Sequence, residues 1–346
     1  MLTAPLPPAL ALAVERRLDA TDRAAVARAA DALSRRYREG GAAAPVATSA
    51  ADVVAYAAAR LPATYAAAAA AMAQVRERRP GWRPRSLLDL GAGPAGAAWA
   101  AAETWPSLER VTAVEAVPEM AALGRALAAE AEHPAVRAAA YDQRDLRAAE
   151  SLPEHDLVVL SYVLGELPPA SRDDVVSRAW EAARDVLLVV EPGTPAGYAT
   201  AVEARAALVA RGGRTIGPCP HDAPCPMGGG DWCHFAVRLP RSAAHRAAKG
   251  GALGHEDEKF SWAALSRDAP PPAEARILRH PQVRGGHVRL ELCTDGGLRS
   301  AVVSKRDREP YRRARRAAWG ETFPHGAPED AGRSPLEEGP PTASGA

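Results

Sequence analysis

Short apolar runs alternate with helical stretches from residue 85 onward, and this alternation most limits the folds open to the chain. The apolar runs are residues 86–90, 111–115, 156–160 and 185–190, with helical stretches between them, one of which lies near 171–183. Strands that alternate with helices at this spacing indicate a parallel, doubly wound sheet. The sequence therefore predicts an α/β core over residues 81–211.

Composition divides the rest of the chain into segments of different character. Residues 1–80 mix apolar and charged residues at helical spacing, so we expect a helical N-terminal region. Residues 212–265 are rich in Gly, Pro, Cys, His and Trp, and we expect an insertion that no apolar core holds together. Residues 266–318 return to strands and end in a basic stretch, and the Gly/Pro/Glu-rich residues 319–346 are predicted to be disordered.

Charge and cysteine content exclude several classes of protein. The 346 residues carry 43 Lys or Arg and 42 Asp or Glu side chains, and the net charge of +1 excludes a globally basic nucleic-acid-binding chain. Four cysteines are too few for a disulfide scaffold. The chain has no run of about 18 strongly apolar residues and no basic leader before its first apolar stretch. We therefore expect a cytoplasmic protein that crosses no membrane.

A glycine-rich loop follows the first predicted strand and opens a helix. Gly91, Gly93 and Gly96 lie in this loop, directly after Asp89, and glycine lets the backbone approach a ligand closely. The loop lies at the carboxyl edge of the predicted sheet, where doubly wound folds bind ligands. Because Pro94 lacks the N–H donor that a pyrophosphate would use, a ligand without phosphate suits the loop better.

An acidic residue at the end of the second predicted strand extends this site. Glu115 follows Gly91 by 24 residues, and a carboxylate there can accept hydrogen bonds from both ribose hydroxyls of a nucleoside. The loop and this acid together resemble the class I S-adenosylmethionine-dependent methyltransferases, which often place an acid near the adenine where Asp145 falls. A dinucleotide site and a structural turn without ligand are the alternatives.

The four cysteines are concentrated late in the chain. Cys219, Cys225 and Cys233 have the spacing C-x5-C-x7-C, and Cys293 follows 60 residues later at the end of a predicted strand. Four thiolates suit either a zinc ion or an iron–sulfur cluster, and spacing wider than that of paired zinc knuckles favours the cluster. Zinc, unliganded cysteines and a nucleophile at Cys219 or Cys225 are the alternatives.

Several unusual strings in fixed order resemble one family. They are Gly217–Asp222, Cys225-Pro226, Asp231–Phe235, Glu256–Ser261, Ser161–Leu167 and Val190–Pro195. Over about residues 50–318 the chain resembles the methyltransferase-like small-ribosomal-subunit family, which comprises mitochondrial assembly factors and their bacterial relatives. The resemblance implies a class I (Rossmann-like) methyltransferase fold, S-adenosylmethionine as cofactor, and action on small-subunit rRNA during assembly.

The same resemblance implies a [4Fe–4S] cluster, because the four cysteines match the cluster positions one by one. These positions are Cys219, Cys225, Cys233 and Cys293. The chain departs from the strict D-x-G-x-G-x-G pattern of the cofactor loop at Ala95, where that pattern has glycine.

No familiar catalytic motif for methyl transfer is present. Where amino-methylating enzymes have Asn/Asp-Pro-Pro-Tyr/Phe, the chain has Ser161–Leu164, and Glu166 is a candidate base that could equally cap a helix. All three lysines lie beyond residue 248, so the Lys-Asp-Lys-Glu tetrad of ribose-methylating enzymes cannot form in its usual place. Two functions therefore compete: an rRNA methyltransferase with an unfamiliar catalytic set, and a non-catalytic assembly factor that docks on rRNA.

A basic stretch near the end of the chain bears on the partner. Residues 305–316 carry seven Lys or Arg side chains against two acidic ones, a local charge of +5. Such a stretch can neutralise RNA phosphates, and a solvated helix face is the alternative. We expect a monomer that binds the small ribosomal subunit.

Overall fold

The larger of two β-sheets forms the centre of the protein. In this computed structural model, which describes residues 2–38, 49–241, 253–268, 270 and 274–324, the larger sheet has nine strands. They are β1 (Leu2–Thr3), β2 (Ser86–Leu90), β3 (Arg110–Val114), β4 (Ala140–Asp142), β5 (His155–Ser161), β6 (Ala183–Pro192), β7 (Arg214–Gly217), β8 (Phe235–Pro240) and β9 (His255–Ser266). Their order in space is β1-β8-β9-β6-β5-β2-β3-β4, and β7 also pairs with β9.

Strands β2 to β6 are parallel and form the doubly wound part of this sheet. The chain runs from β2 outward to β3 and β4, and then returns to β5 on the other side of β2. This change of direction creates a crevice at the carboxyl ends of β2 and β5, which is the usual ligand site of such sheets. The α/β fold predicted from the sequence is therefore confirmed, and the sheet as a whole is mixed, because β9 pairs antiparallel with β6, β7 and β8.

Helices cover both faces of the larger sheet. They are α1 (Pro8–Asp19), α2 (Arg23–Arg38), α3 (Ala50–Ala59), α4 (Leu61–Arg78), α5 (Gly96–Thr104), α6 (Pro118–Ala128), α7 (Pro134–Arg137), α8 (Pro169–Ala182) and α9 (Pro195–Ala210). Leu87 of β2 packs in one apolar cluster with α4 and α5, and its neighbour Leu88 packs in the other with α8. Because successive strand residues face opposite ways, β2 is buried on both sides, and each leucine contributes about 1.5–3 kcal/mol.

The segment predicted to be one cysteine-rich insertion, residues 212–265, instead contributes three strands to the larger sheet. β7 and β8 pair with the same edge of β9, one after the other. Gly217 opposes Ala264, and Phe235 opposes Phe260. Residues 218–234 therefore leave one strand position and return to it, and only these 17 residues form the insertion, here named the cysteine loop.

Charged residues that follow the cysteine loop form ion pairs with one another across two strands. Arg238 of β8 lies directly opposite Asp257 of β9, with 2.7 Å between Nε and Oδ1. Arg241, just beyond β8, pairs with Glu256 at 2.9 Å. Along the sequence these charged residues look like part of a loop, whereas in the structure Arg238, Arg241, Glu256 and Asp257 form two ion pairs.

The second sheet is formed by the C-terminal part of the chain. Its strands are β10 (Ala275–Ile277), β11 (Gln282–Arg284), β12 (His287–Thr294), β13 (Gly297–Ser304) and β14 (Thr322–Phe323), in the order β11-β12-β10-β14 with β13 also paired to β12. Short turns at Gly285-Gly286 and Asp295-Gly296 connect β11 to β12 and β12 to β13. Helix α10 (Arg308–Arg316) packs on this sheet.

Both ends of the described chain differ from the expectation. β1 pairs in parallel with β8 at the edge of the larger sheet, whereas residues 1–80 were predicted to be helical; a strand of two residues has no periodicity that a sequence could reveal. Phe323 is buried in β14, so the prediction of disorder from residue 319 does not hold for residues 319–324; residues 325–346 lie outside the described residues. Within the described ranges, no helix has the length and apolar character needed to cross a membrane.

Candidate cofactor cavity and cysteine site

A cavity of about 340 Å³ opens at the carboxyl ends of β2, β3 and β5. It is lined by all six residues that the sequence analysis assigned to a cofactor: Asp89, Gly91, Gly93, Gly96, Glu115 and Asp145. They come from β2, the loop after it, the end of β3 and the turn after β4, which the change of direction brings to one edge. The structure thus unites residues that span more than 50 positions in the sequence.

Two glycines of the loop have left-handed backbone conformations, and they differ in their surroundings. Gly91 has φ +68° and Gly93 has φ +52°, values that favour glycine. A Cβ atom at Gly91 would lie 2.4 Å from Cγ2 of Val163, whereas a Cβ at Gly93 would meet nothing within 4 Å. Gly91 is therefore required by packing, and Gly93 leaves open space.

Ala95 occupies the position where the strict pattern has glycine. It precedes α5 with φ +60° and ψ +39°, so the loop keeps the left-handed turn that glycine would form. For an L-residue this conformation costs about 1–2 kcal/mol. The departure from the pattern therefore adds strain while the loop keeps its shape.

Glu115 joins the glycine loop to the end of β3. Its buried carboxylate accepts hydrogen bonds from the N–H of Gly93 and the N–H of Val117, each at 2.7 Å. A carboxylate has about four acceptor positions, so acceptor capacity remains for the hydroxyl groups of a ligand.

Asp89 is a buried acid without a full set of partners. It is 1 % exposed, and its Oδ2 has no hydrogen-bond partner among the described residues. Burial raises the pKa of Asp89 to about 7, and the nearby Glu115 carboxylate raises it further, while the Ala98 N–H opposes the rise. An unpaired buried acid in a cavity is suited to a ligand that brings a positive charge or a donor.

Asp145 lies at the cavity with its oxygens already engaged. The Arg147 guanidinium donates to both carboxylate oxygens, at 2.6 Å from Nη2 to Oδ2, and the Arg147 backbone N–H donates to Oδ1. These contacts lower the pKa of Asp145. A ligand that used this carboxylate would have to share it with Arg147.

Tyr162 is a cavity residue for which the sequence analysis assigned no role. It follows β5 with φ +59° and lines the cavity. Its hydroxyl donates to Oε1 of Glu258 at 2.8 Å, and the Arg60 guanidinium lies 5.7 Å from the centre of its ring. Left-handed backbone at a residue other than glycine is strained and is often found at functional sites. Its position at the end of a central strand was the available signal.

Glu191 holds the turn that follows Tyr162 at the cavity. It is 1 % exposed at the end of β6 and accepts hydrogen bonds from the N–H groups of Leu164 and Gly165, at 2.9 and 3.2 Å. Burial raises the pKa of Glu191 to about 8. The turn that it holds also carries Val163 and Glu166, which line the cavity.

The four cysteines line one small cavity of about 20 Å³ between the cysteine loop and the second sheet. Cys219, Cys225 and Cys233 come from the loop, and Cys293 comes from β12. Burial raises the pKa of each of Cys219, Cys233 and Cys293, and neighbouring thiols contribute to the rise, which brings the pKa of Cys293 to about 12. The structure therefore brings together the four residues that the sequence grouped.

Two buried arginines face this cysteine cavity. Arg276, 3 % exposed, lines it and donates to the carbonyl oxygens of Pro218 and Gly320, at 2.9 and 2.7 Å. Arg205, also 3 % exposed, donates to the carbonyl oxygens of His221 and Ala223 in the cysteine loop. Their positive charges lower the pKa of Cys219 and Cys293 against the effect of burial. A buried positive charge is stabilised when a negative group is bound beside it.

Two thiols also contact polar groups. The hydroxyl of Tyr198 lies 3.2 Å from Sγ of Cys225, and Nε2 of His221 lies 3.6 Å from Sγ of Cys293. Over the part of the chain that the structure describes, no group of three or more His, Cys, Asp or Glu side chains is arranged to hold a metal ion.

Comparison with known proteins gives one matching family. The family described as mitochondrial small ribosomal subunit Rsm22 matches residues 50–324. The human mitochondrial ribosome assembly protein METTL17 is 32% identical over 288 residues, which cover 78% of this chain and 62% of that protein. The mitochondrial Rsm22-cox11 tandem protein 2 of Schizosaccharomyces pombe is 23% identical over 70% of this chain and 39% of its own length. The chain thus spans less than two thirds of either relative.

Solved structures with a related arrangement are more distant. Magnesium protoporphyrin IX methyltransferase from Synechocystis, with bound S-adenosylmethionine, has a TM-score of 0.39 and 12% identity over 68% of this chain and 90% of its own. A putative RNA methyltransferase from Pyrococcus horikoshii has a TM-score of 0.35 and 15% identity over 57% of this chain and 81% of its own.

Proposed function

Because the chain belongs to the family of the mitochondrial small ribosomal subunit protein Rsm22, we propose that it binds S-adenosylmethionine and acts on the small ribosomal subunit during assembly. The observation that carries the cofactor assignment is the convergence of six sequence-selected residues on one cavity at the sheet's change of direction. The subunit assignment rests on the family and on the name of the human relative, a ribosome assembly protein.

The chemistry of the cavity fits a cationic nucleoside. Glu115 retains acceptor capacity for ribose hydroxyls, and the unpaired Oδ2 of Asp89 suits the positive charge of S-adenosylmethionine. Pro94 lines the cavity without an N–H donor, which disfavours the pyrophosphate of a dinucleotide. Ser161 and Tyr162 also line this cavity, to which the cofactor would supply a methyl group when bound.

Titration calorimetry with purified protein tests the cofactor assignment. We expect S-adenosylmethionine to bind, and Glu115→Gln to weaken it by about 1.5–3 kcal/mol, the size of a charge-assisted hydrogen bond. Glu109→Gln is the matched control, because Glu109 is a surface carboxylate paired with Arg85. Binding of NADH instead, or no binding of either, would contradict the assignment.

Enzyme and non-catalytic assembly factor remain distinct versions of this proposal. We favour a methyltransferase acting on small-subunit rRNA, because the cavity keeps every element of the cofactor site. The absence of a familiar motif at Ser161–Leu164 supports the non-catalytic alternative. Transfer of a labelled methyl group to immature small-subunit rRNA distinguishes them; a protein that binds cofactor and rRNA without transfer is the assembly factor.

We also propose that Cys219, Cys225, Cys233 and Cys293 hold a [4Fe–4S] cluster. Four thiols line one cavity, and two buried guanidinium groups beside it suit a group that is negative once the thiols ionise. A cluster is larger than one ion, so its thiolates stand further apart than the ligands of zinc. When bound, it would join the cysteine loop to the second sheet and add folding free energy.

Metal analysis of protein purified without oxygen tests the cluster. About four irons per chain with matching acid-labile sulfide are expected, and Cys233→Ser should lose both. One zinc per chain without sulfide would contradict the cluster and support a zinc site instead. The cytoplasmic location and the monomeric state stay predictions, and the relatives carry mitochondrial names.

A further inference from the structure

Helix α10 and the turn before it concentrate positive charge on one side of the second sheet. The segment 305–316, here named the basic segment, carries +5, whereas the whole chain carries +1. The rest of the molecule is therefore net negative, so the charge of this segment does not reflect a generally basic protein.

Only one side of α10 packs against the second sheet. Ala314 is buried in the apolar cluster of the second sheet, and Tyr311 and Ala317 pack against it at helical spacing. The basic side chains of the segment are exposed. Their charges are thus not needed to hold α10 in place, although the sheet fixes the direction in which they point.

Within the described ranges, most of these basic side chains form no ion pair with an acid. Arg312 pairs with Glu309, and Arg315 lies over the ring of Tyr311. Among the described residues, no ion pair is formed by the other five, which are Lys305, Arg306, Arg308, Arg313 and Arg316. Elsewhere in the protein, exposed arginines such as Arg85 and Arg184 are paired with carboxylates. The unpaired cations of the basic segment are available to an anionic partner.

These positive charges extend over a surface long enough to contact an extended ligand. A groove of about 410 Å³ between α10 and β14 is lined by three arginines, Arg312, Arg313 and Arg316, and by two acids, Glu309 and Glu321, so the arginines outnumber the carboxylates by one. At the other end, the N–H of Lys305 donates to the carbonyl oxygen of Gly286 at 2.8 Å. That bond places Lys305 beside the turn that follows Arg284, so cations extend from the groove to the far end of the sheet.

We propose that this surface binds the phosphate backbone of RNA. Arginine presents paired donors that match phosphate oxygens, and a row of exposed, unpaired arginines on a fixed helix follows a backbone without reading its sequence. The exposed side of α10 has no large apolar side chain that could enter a bilayer, which disfavours an anionic lipid surface. The inference rests on the proposed function in taking the small ribosomal subunit as the source of the RNA.

Salt-dependent binding of a small-subunit rRNA transcript tests this proposal. The variant Arg308→Gln/Arg313→Gln/Arg316→Gln removes three unpaired charges. The control Arg16→Gln/Arg23→Gln/Arg184→Gln removes the same charge from sites paired with Glu130, Asp19 and Glu154. In a log–log plot against salt from about 50 to 200 mM, the slope should fall by about 2–3 in the test variant only, since each phosphate contact contributes about 0.7–0.9.

The outcomes separate this inference from the proposed function. Equal affinity and slope for the two variants would overturn the proposal, and so would tighter binding to phosphatidylserine vesicles or to polyglutamate than to RNA. S-adenosylmethionine binding is measured on the same variants and is expected to be unchanged. If S-adenosylmethionine binds but RNA affinity does not depend on the basic segment, the inference is wrong and the cofactor assignment stands. If the wild-type protein does not bind S-adenosylmethionine, only the proposed function is contradicted.

Discussion

The cofactor cavity and the cysteine cavity are built from the chain in opposite ways. The first lies at the ends of central parallel strands that are buried on both faces, and its shape is fixed by the sheet. The second lies where a loop interrupts an edge strand and meets a separate sheet. The comparison teaches that the cofactor cavity is formed by the central sheet itself, whereas the cysteine cavity lies between two separate parts of the protein, the cysteine loop and the second sheet.

Replacement of a cysteine in the proposed cluster site is expected to give the largest effect and to test whether the two cavities are independent. Cys293→Ser should lower affinity for the bound metal more than about 100-fold, because even outer-shell changes cost 10–100-fold. S-adenosylmethionine affinity should stay within about twofold, as expected for independent sites. Metal content and calorimetry on one preparation measure both. A parallel loss of cofactor affinity would show that the two cavities are coupled.

Alanine at each of the two left-handed glycines sharpens the account of the cofactor loop. Gly91→Ala should lower the free energy of unfolding by about 2–5 kcal/mol, because left-handed strain adds to a clash with Val163. Gly93→Ala should cost only the strain, about 1–2 kcal/mol. Urea denaturation of the two variants measures the difference. Equal costs would mean that the loop moves away from Val163 freely.

The raised pKa of Asp89 predicts that cofactor affinity depends on pH. Below a pKa of about 7 the carboxyl is protonated and cannot attract a cation, so affinity for S-adenosylmethionine should rise about tenfold from pH 6 to 8. Asp89→Asn should flatten this dependence. Calorimetry at several pH values measures it, and a wild-type profile as flat as that of the variant would contradict the assignment.

The raised pKa of Asp89 also makes protein stability depend on pH, in the direction opposite to cofactor affinity. Its pKa in the folded protein lies above the ordinary value of 3.8, so the folded state binds the proton more tightly than the unfolded chain. This contribution to stability is complete below the ordinary pKa and is lost as pH rises toward about 7. Asp89→Asn should therefore be more stable than wild type at pH 8 and lose this advantage near pH 4.

Glycine at residue 95 is expected to give the smallest effect. Ala95→Gly relieves left-handed strain and adds flexibility to the unfolded chain, so a net gain of about 0.5–1 kcal/mol is expected. Ala97→Gly, within α5, is the matched control and should destabilise by a similar amount. Thermal denaturation measures both, and a loss at both positions would contradict the strain at Ala95.

The sequence predicted the parts of the fold that rest on local patterns. The predicted first strand has the observed bounds of β2, and the glycine loop and Glu115 lie where strand, turn and helix signals placed them. The sequence failed at β9, because its charged half is stabilised by pairs such as Arg238 with Asp257 that join distant strands. The sequence indicated no role for Tyr162, because its strained backbone leaves no mark in the residue type.

The position of Cys293 on the second sheet also sets an order of events in synthesis. Cys219, Cys225 and Cys233 are made once the chain passes residue 233, but β9, which completes the larger sheet, and β10 come before Cys293. A group held by all four thiols can therefore be enclosed only after every strand of the larger sheet has been translated. Insertion of such a group would report that the larger sheet has been translated in full and that β12 has met the cysteine loop.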